Sequence, residues 1–195
     1  MEERSCPLNR VPLRVVPPDA LLELRDGVHA RILLHVRVLV AGVGNVLRRD
    51  DGFGVYVVER LQAGSAPDGV RIVDIGIGGI HLVHELLDTP DMLIVIDALD
   101  LGRAPGTVLV VRPEVRAPAG RDDLADMHYA TPERALMLAS ALGVLPDRAW
   151  IVGCQPADAD GLGHGLTPAV AGAVEVAAAE VRRLTRGVGL DWRPS

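Results

Sequence analysis

Apolar and polar positions along the chain follow two rhythms in turn. From Arg37 the segment "RVLVAGVG" is a short run of apolar and small residues that reads as a strand. "DGFGVYVVERLQAG" follows, with Val55, Val58 and Leu61 at helical spacing before Gly64 closes the element. "VRIVDIG" reads as a second strand and "GIHLVHELL" as a second helix. "DMLIVIDAL" is a third strand, apolar almost throughout, the pattern of a strand covered on both faces. There the rhythm breaks. "GTVLVVRPE" is a fourth strand reached only through the turn "DLGRAPG". A parallel neighbour needs a crossover of roughly a dozen residues or more, so this strand is expected to run antiparallel. The loop "VRAPAGRDDLADMHYAT" leads to a helix from Pro132 to Leu142, with Thr131 as N-cap. "RAWIVGCQP" is the fifth strand, and the last helix starts at Thr167 and Pro168.

This order predicts an α/β fold: a three-layer α/β/α sandwich around a mostly parallel five-stranded sheet with one antiparallel strand. Residues 1–35 stand apart. "VPPDALLELRDGVHARILLH" opens with a proline pair and holds one short amphipathic segment. It reads as an appended N-terminal extension whose order the pattern leaves undetermined, with residues 36–195 forming the domain.

Composition narrows the function classes. A chain of 195 residues can bury one full core but not two ordinary ones. Aromatic residues are only 3%, so the core must be built from Val, Leu, Ile and Ala. A net charge of -6 argues against nucleic acid as a main partner. All 20 basic residues are arginines, which excludes a lysine nucleophile, a Schiff base and a Walker-type phosphate clamp. Cys6 falls in the N-terminal segment and Cys154 in a core strand, so no disulfide is expected. The N-terminus lacks the apolar stretch of a secretory signal. The longest apolar run, Ile32 to Val40, is broken by His35 and Arg37 and is too short to span a bilayer. A soluble cytoplasmic protein without membrane insertion is expected.

In open α/β sheets, ligands bind outside the carboxyl ends of the strands. Asp50 and Asp51 follow the first strand, Asp74 ends the second, and Asp97 and Asp100 end the third. His128 lies in the loop after the fourth strand, and Cys154 and Asp158 follow the fifth. Carboxylates with one histidine make an oxygen/nitrogen metal-site composition. One of Asp50 and Asp51 is expected to cap the helix that follows. Asp74, before "IGIGG", is read as holding a turn rather than a ligand. Asp97 is harder to dismiss, because a carboxylate closing "LIVIDA" is costly unless paired or ligating. His81 and His84 are read as helix-surface residues. Cys154 beside Gln155 invites a thiol nucleophile with His128 or His164 as base, against the weightier reading of a small apolar residue at the end of a buried strand. No Gly-x-Ser-x-Gly elbow is present. The dinucleotide fingerprint fails too, since Leu47 stands where its third glycine belongs, and no cofactor of that kind is expected.

The stretch "GVGNVLRRDDGFG" resembles the opening motif of the nickel–iron hydrogenase maturation endopeptidases. "VIDALD", "PGTVLVV", a loop histidine before a helix, "VGCQP" and "GLTPAV" follow in the family's order, over about four-fifths of the chain. The resemblance implies a cytoplasmic protease that trims the C-terminal extension of a hydrogenase large-subunit precursor. It implies the same five-stranded α/β/α fold and a metal-contacting set that recognises nickel supplied by the precursor. Carried over by motif, that set falls on Asp51, Asp97 and His128. Asp51 is often glutamate in relatives, so the carboxylate here is one methylene shorter. The family commonly has an Asp-Gly-Gly-Thr turn after the second strand, where this chain has Asp74-Ile75-Gly76-Ile77. Any contact made by that threonine hydroxyl is missing here. The peptide-cutting groups are not evident from motif, with Asp51 and Asp97 the candidates. The competing expectation is a non-catalytic nickel- or precursor-binding accessory protein of the same fold.

Overall fold

A computed structural model describes residues 13–15, 36–100, 102–115 and 132–193. The elements are strands β1 (Leu13–Val15) and β2 (Val38–Val43), a 3-10 turn (Arg49–Gly52), helix α1 (Phe53–Gln62), β3 (Val70–Gly76), α2 (Gly79–Leu86), β4 (Met92–Ala98), β5 (Val108–Pro113), α3 (Pro132–Ala141), β6 (Arg148–Cys154) and α4 (Pro168–Arg186). They form one sheet in the order β1-β5-β6-β4-β2-β3. The pairs β2–β3, β2–β4 and β4–β6 are parallel, and β5 runs antiparallel to β6. The short turn before β5 therefore does what its length requires.

The sheet also has a strand that the hydrophobic pattern does not mark. Leu13–Val15 pairs antiparallel with Pro113–Val111 along the outer edge of β5. Three residues are too few to show a period, and an edge strand needs only backbone groups to pair. The five-stranded α/β core is as expected, and β1 extends it by one strand. The other residues of the 1–35 segment lie outside the described residues.

Two hydrophobic layers follow from side chains alternating across the strands. On one face Val38, Val40, Ile94, Ile96 and Val152 meet α1 and α4. On the other, Leu39, Ala41, Leu93, Val95 and Ile151 meet α2 and α3. Central β4 is buried along its whole length, in keeping with its unbroken apolar run. The chain's single phenylalanine, Phe53, is fully buried at the start of α1.

Glycine allows α1 to approach the sheet. A methyl group at Gly42 would overlap the Gly54 carbonyl and Val58, and one at Gly54 would overlap the carbonyls of Val43 and Ile96. Gly42 is thus spent on helix packing. The turn itself falls to Gly44, whose φ of 139° is a conformation that side chains disfavour. Among the described residues no helix is long and apolar enough to cross a membrane.

Candidate active site at the carboxyl edge of the sheet

The loop after β2 is a chain of local hydrogen bonds. Asn45 Oδ1 accepts from Leu47 N at 3.0 Å, so its side chain closes the turn. Arg48 N donates to the Asn45 carbonyl and Asp51 N to the Arg48 carbonyl, which winds the 3-10 turn. Asn45 N then donates to Asp51 Oδ2 at 3.2 Å, fixing that carboxylate over the turn.

The two adjacent aspartates have opposite fates. Asp50 is fully buried. Its Oδ2 accepts from Ala157 N, Asp158 N and the Thr167 hydroxyl, and its Oδ1 from Thr167 N, all within 2.9 Å. Burial alone would raise its pKa, but the three backbone amides and the hydroxyl outweigh burial and hold it below the usual 3.8. The sequence-based expectation was that one of the pair caps the next helix. Asp50 instead serves the N-terminus of α4, at the far end of the chain. Thr167 is the N-cap of α4 and Pro168 its first residue, as expected. The Thr167 hydroxyl makes no cap bond of its own and goes to Asp50 instead.

Asp51 remains partly exposed in the same turn. Burial raises its pKa, opposed by the Arg48 charge and the Asn45 amide, while Asp160 raises it further. Asp97 closes β4 opposite Gly153 and is only 3% exposed. Its Oδ1 accepts from Ala98 N at 2.8 Å. Burial pushes its pKa well above the ordinary carboxylate range, and the neighbouring charge of Asp51 pushes it further. Two carboxylates from β2's loop and β4's end therefore share one electrostatic site. Without a cation the pair favours a proton on Asp97; a divalent cation would satisfy both negative charges at once. The donor set fits a metal of the borderline oxygen-accepting kind.

His128 lies outside the described residues. Among the described residues, no three His, Cys, Asp or Glu side chains converge to hold a metal ion. Asp74 holds a turn, its Oδ1 accepting from Gly76 N at 2.8 Å. Asp100 Oδ1 accepts from Gly102 N and from Gln155 Nε2. His81 and His84 are exposed on α2, and His81 pairs with Glu85 on its own helix. Cys154 is fully buried, and burial with the nearby Asp50 charge pushes its thiol up to about 12, against the Gly106 amide. Such a thiol is not a nucleophile at neutral pH. The apolar-filler reading of Cys154 is the one the geometry supports. A pocket of about 320 Å³ between Arg37, Val70 and Asp88 lies at the opposite, amino end of β2 and β3, away from the acids.

Several further contacts organise this edge. Gln155 pins the β4–β5 connection: its side-chain oxygen accepts from Arg103 N and its backbone carbonyl from Gly106 N. Arg48 pairs with Asp160 at 2.6 Å and Arg49 with Asp158 at 3.4 Å, tying the acid loop to the segment after β6. The only local hint is polarity: "ADADGLGHG" is too rich in Asp and Gly to be anything but a loop.

A family model for hydrogenase maturation proteases, HycI, matches residues 55–183. The chain belongs to the hydrogenase maturation protease family. Among curated relatives, the hydrogenase expression/formation protein HupD of Rhodobacter capsulatus is 39% identical over 80% of this chain and 74% of its own length. The hydrogenase 2 maturation protease of Escherichia coli is 34% identical over 82% of this chain and 96% of its own length. Among solved structures, the hydrogenase maturating endopeptidase HybD from E. coli superposes with a TM-score of 0.68 at 30% identity, covering 81% of this chain and 97% of that one. As a hydrogenase maturation protease the chain is a hydrolase of peptide bonds, and the acids that the site brings together sit in that family's fold.

Proposed function

We propose that this protease removes the C-terminal extension of a nickel-loaded hydrogenase large-subunit precursor in the cytoplasm, and that Asp51 and Asp97 grip the nickel that the precursor carries. The observation that carries this reading is the placement of buried Asp97 at the carboxyl end of β4, beside the β2 strand whose loop carries Asp51, two acids whose negative charges a cation would relieve. Two protein carboxylates leave room in a metal's coordination shell for groups from the substrate. His128 is the proposed third protein ligand. It stands four residues before Pro132, in the segment leading to α3, and α3 covers the sheet face toward which alternation along β4 turns Asp97.

In this reading the metal is substrate cargo. The two carboxylates bind and orient it, and the bound metal can polarise the scissile carbonyl or a water beside it. The backbone around Asp51 is held by Asn45, so its carboxylate need not reorganise on binding. A site that gains its affinity from the cation discriminates loaded from empty precursor. The test is cleavage of matched precursor with and without nickel. Equal cleavage of the two rejects nickel recognition and leaves the family intact. Binding without cleavage points to the accessory-protein reading.

A further inference from the structure

We propose that Leu47 and Leu162 form an apolar lip beside the acid pair that docks an aliphatic side chain of the polypeptide substrate. The inference deepens the proposed function and rests on a precursor chain lying across this edge of the sheet.

The two leucines are 115 positions apart by their numbers and meet only in the fold. Gly163 N donates to the Leu47 carbonyl at 2.9 Å, and Arg49 N donates to the Gly163 carbonyl at 3.0 Å. These bonds make a parallel bridge between Arg48 and Gly163. A parallel register places the preceding residues, Leu47 and Leu162, side by side. Both are open to solvent, Leu162 at 84% and Leu47 at 53%.

Singly exposed leucines are ordinary, but this pair is held with some effort. Arg49 adopts a positive φ of 46°, unfavourable for a residue with a side chain. The Asp50 hydrogen bonds and the Arg48–Asp160 and Arg49–Asp158 pairs fix both strands of the bridge. Those ion pairs also neutralise the charges flanking the leucines. The leucines therefore make an apolar patch whose flanking Arg48, Arg49, Asp158 and Asp160 charges are paired, suited to an aliphatic residue. It is continuous with the acid site, because Leu47 and Asp51 belong to one loop. At the neighbouring strand end, where Gly44 N donates to the Gly76 carbonyl, Ile77 adds a further exposed aliphatic residue, 73% exposed. A polypeptide crossing this edge of the sheet can bury an aliphatic side chain on the lip while its metal meets the carboxylates.

The experiment uses the full-length chain with Leu47→Ser and Leu162→Ser, both at exposed positions. Leu142→Ser is the control. It is similarly exposed, at 55%, but follows α3 at the opposite edge of the sheet. The substrate is the nickel-loaded large-subunit precursor of the same organism, and binding is also measured with apo precursor by fluorescence anisotropy. Each lip variant should raise KM and the apo dissociation constant roughly ten-fold with kcat retained, the loss expected when a buried aliphatic anchor is removed. Leu142→Ser should change neither. Unchanged KM and apo affinity in both lip variants overturn the proposal. So does a shift from dimer to monomer in sedimentation on mutation, which would make the occupant a second copy of this chain. If cleavage ignores nickel but the lip variants still raise KM, the lip stands and nickel recognition falls.

Discussion

Asp50 and Thr167 lie 117 positions apart and are joined by two hydrogen bonds, one from the Thr167 backbone N–H at 2.7 Å and one from its hydroxyl at 2.9 Å. The contact ties the loop that carries Asp51 to the start of the last helix. It explains why the first aspartate of the pair is buried and charged while the second stays partly exposed.

Removing Asp50 should therefore destabilise the fold. Asp50→Ala strands three backbone amides without an acceptor and should cost about 3 kcal/mol or more. Because the folded pKa of Asp50 lies below the ordinary 3.8, its stabilisation is complete above that value. It is lost as the pH falls through the lower folded value. Urea titrations of wild type and variant at neutral and acid pH should show a gap that closes on acidification; a constant gap would contradict the assignment.

Asp97 should show the opposite sign. Its folded pKa is raised, so the folded state holds the proton longer than the unfolded chain does. Stability from this group falls as the pH rises from 3.8 through the folded value, and the penalty is full above it. Asp97→Asn should raise the unfolding free energy at neutral pH, read from urea titrations, by roughly 1 kcal/mol or more, while abolishing processing. A variant that is both less stable and fully active would refute the paired-acid site.

Asp51 is expected to be sensitive to charge rather than shape. Asp51→Asn keeps the shape and removes the charge, and should weaken productive binding of loaded precursor roughly 10–100-fold or more. Asp51→Glu keeps the charge on a side chain one methylene longer, and should retain processing. Gel-shift maturation assays with and without nickel read both, and full activity in Asp51→Asn would sink the mechanism.

Cys154 should be dispensable for cleavage. Burial pushes its thiol pKa up to about 12, so no useful thiolate exists at neutral pH. Cys154→Ala should keep kcat and lose only a little stability from the small void it leaves. Loss of activity in a stably folded variant would revive the thiol mechanism.

A chain beginning at Val36 should still fold. Among the described residues, the N-terminal segment contributes a three-residue edge strand on β5, and the buried side chains of both hydrophobic layers come from residue 36 onward. A thermal melt should stay cooperative with a modest loss of Tm; a non-cooperative melt would mean that β1 completes the domain. The bare edge of β5 should also make the shortened chain more prone to associate.

The strands, the helices and the reversed β5 are legible in the sequence, because periodicity and connection length are local properties. The positions of Asp51 and Asp97 are legible too, because strand ends can be read from where apolar runs stop. Asn45 is likewise readable, since its turn spans two residues. What each acid does is not. The sequence presents Asp50 and Asp51 as equivalent neighbours, and only the packing of the 157–167 segment onto the loop buries one and leaves the other open. The raised pKa of Asp97 comes from its burial in the packed sheet and then from Asp51 arriving beside it from another strand's loop. Leu47 and Leu162 read as unrelated loop residues until a parallel bridge aligns them. Strand β1 stays invisible because three edge residues need only backbone partners, and backbone groups leave no mark in the pattern of side chains. Local chemistry determined the elements and the candidate acids, and contacts between residues more than a hundred positions apart decided which acid of the Asp50–Asp51 pair is buried as an anchor and which stays partly exposed.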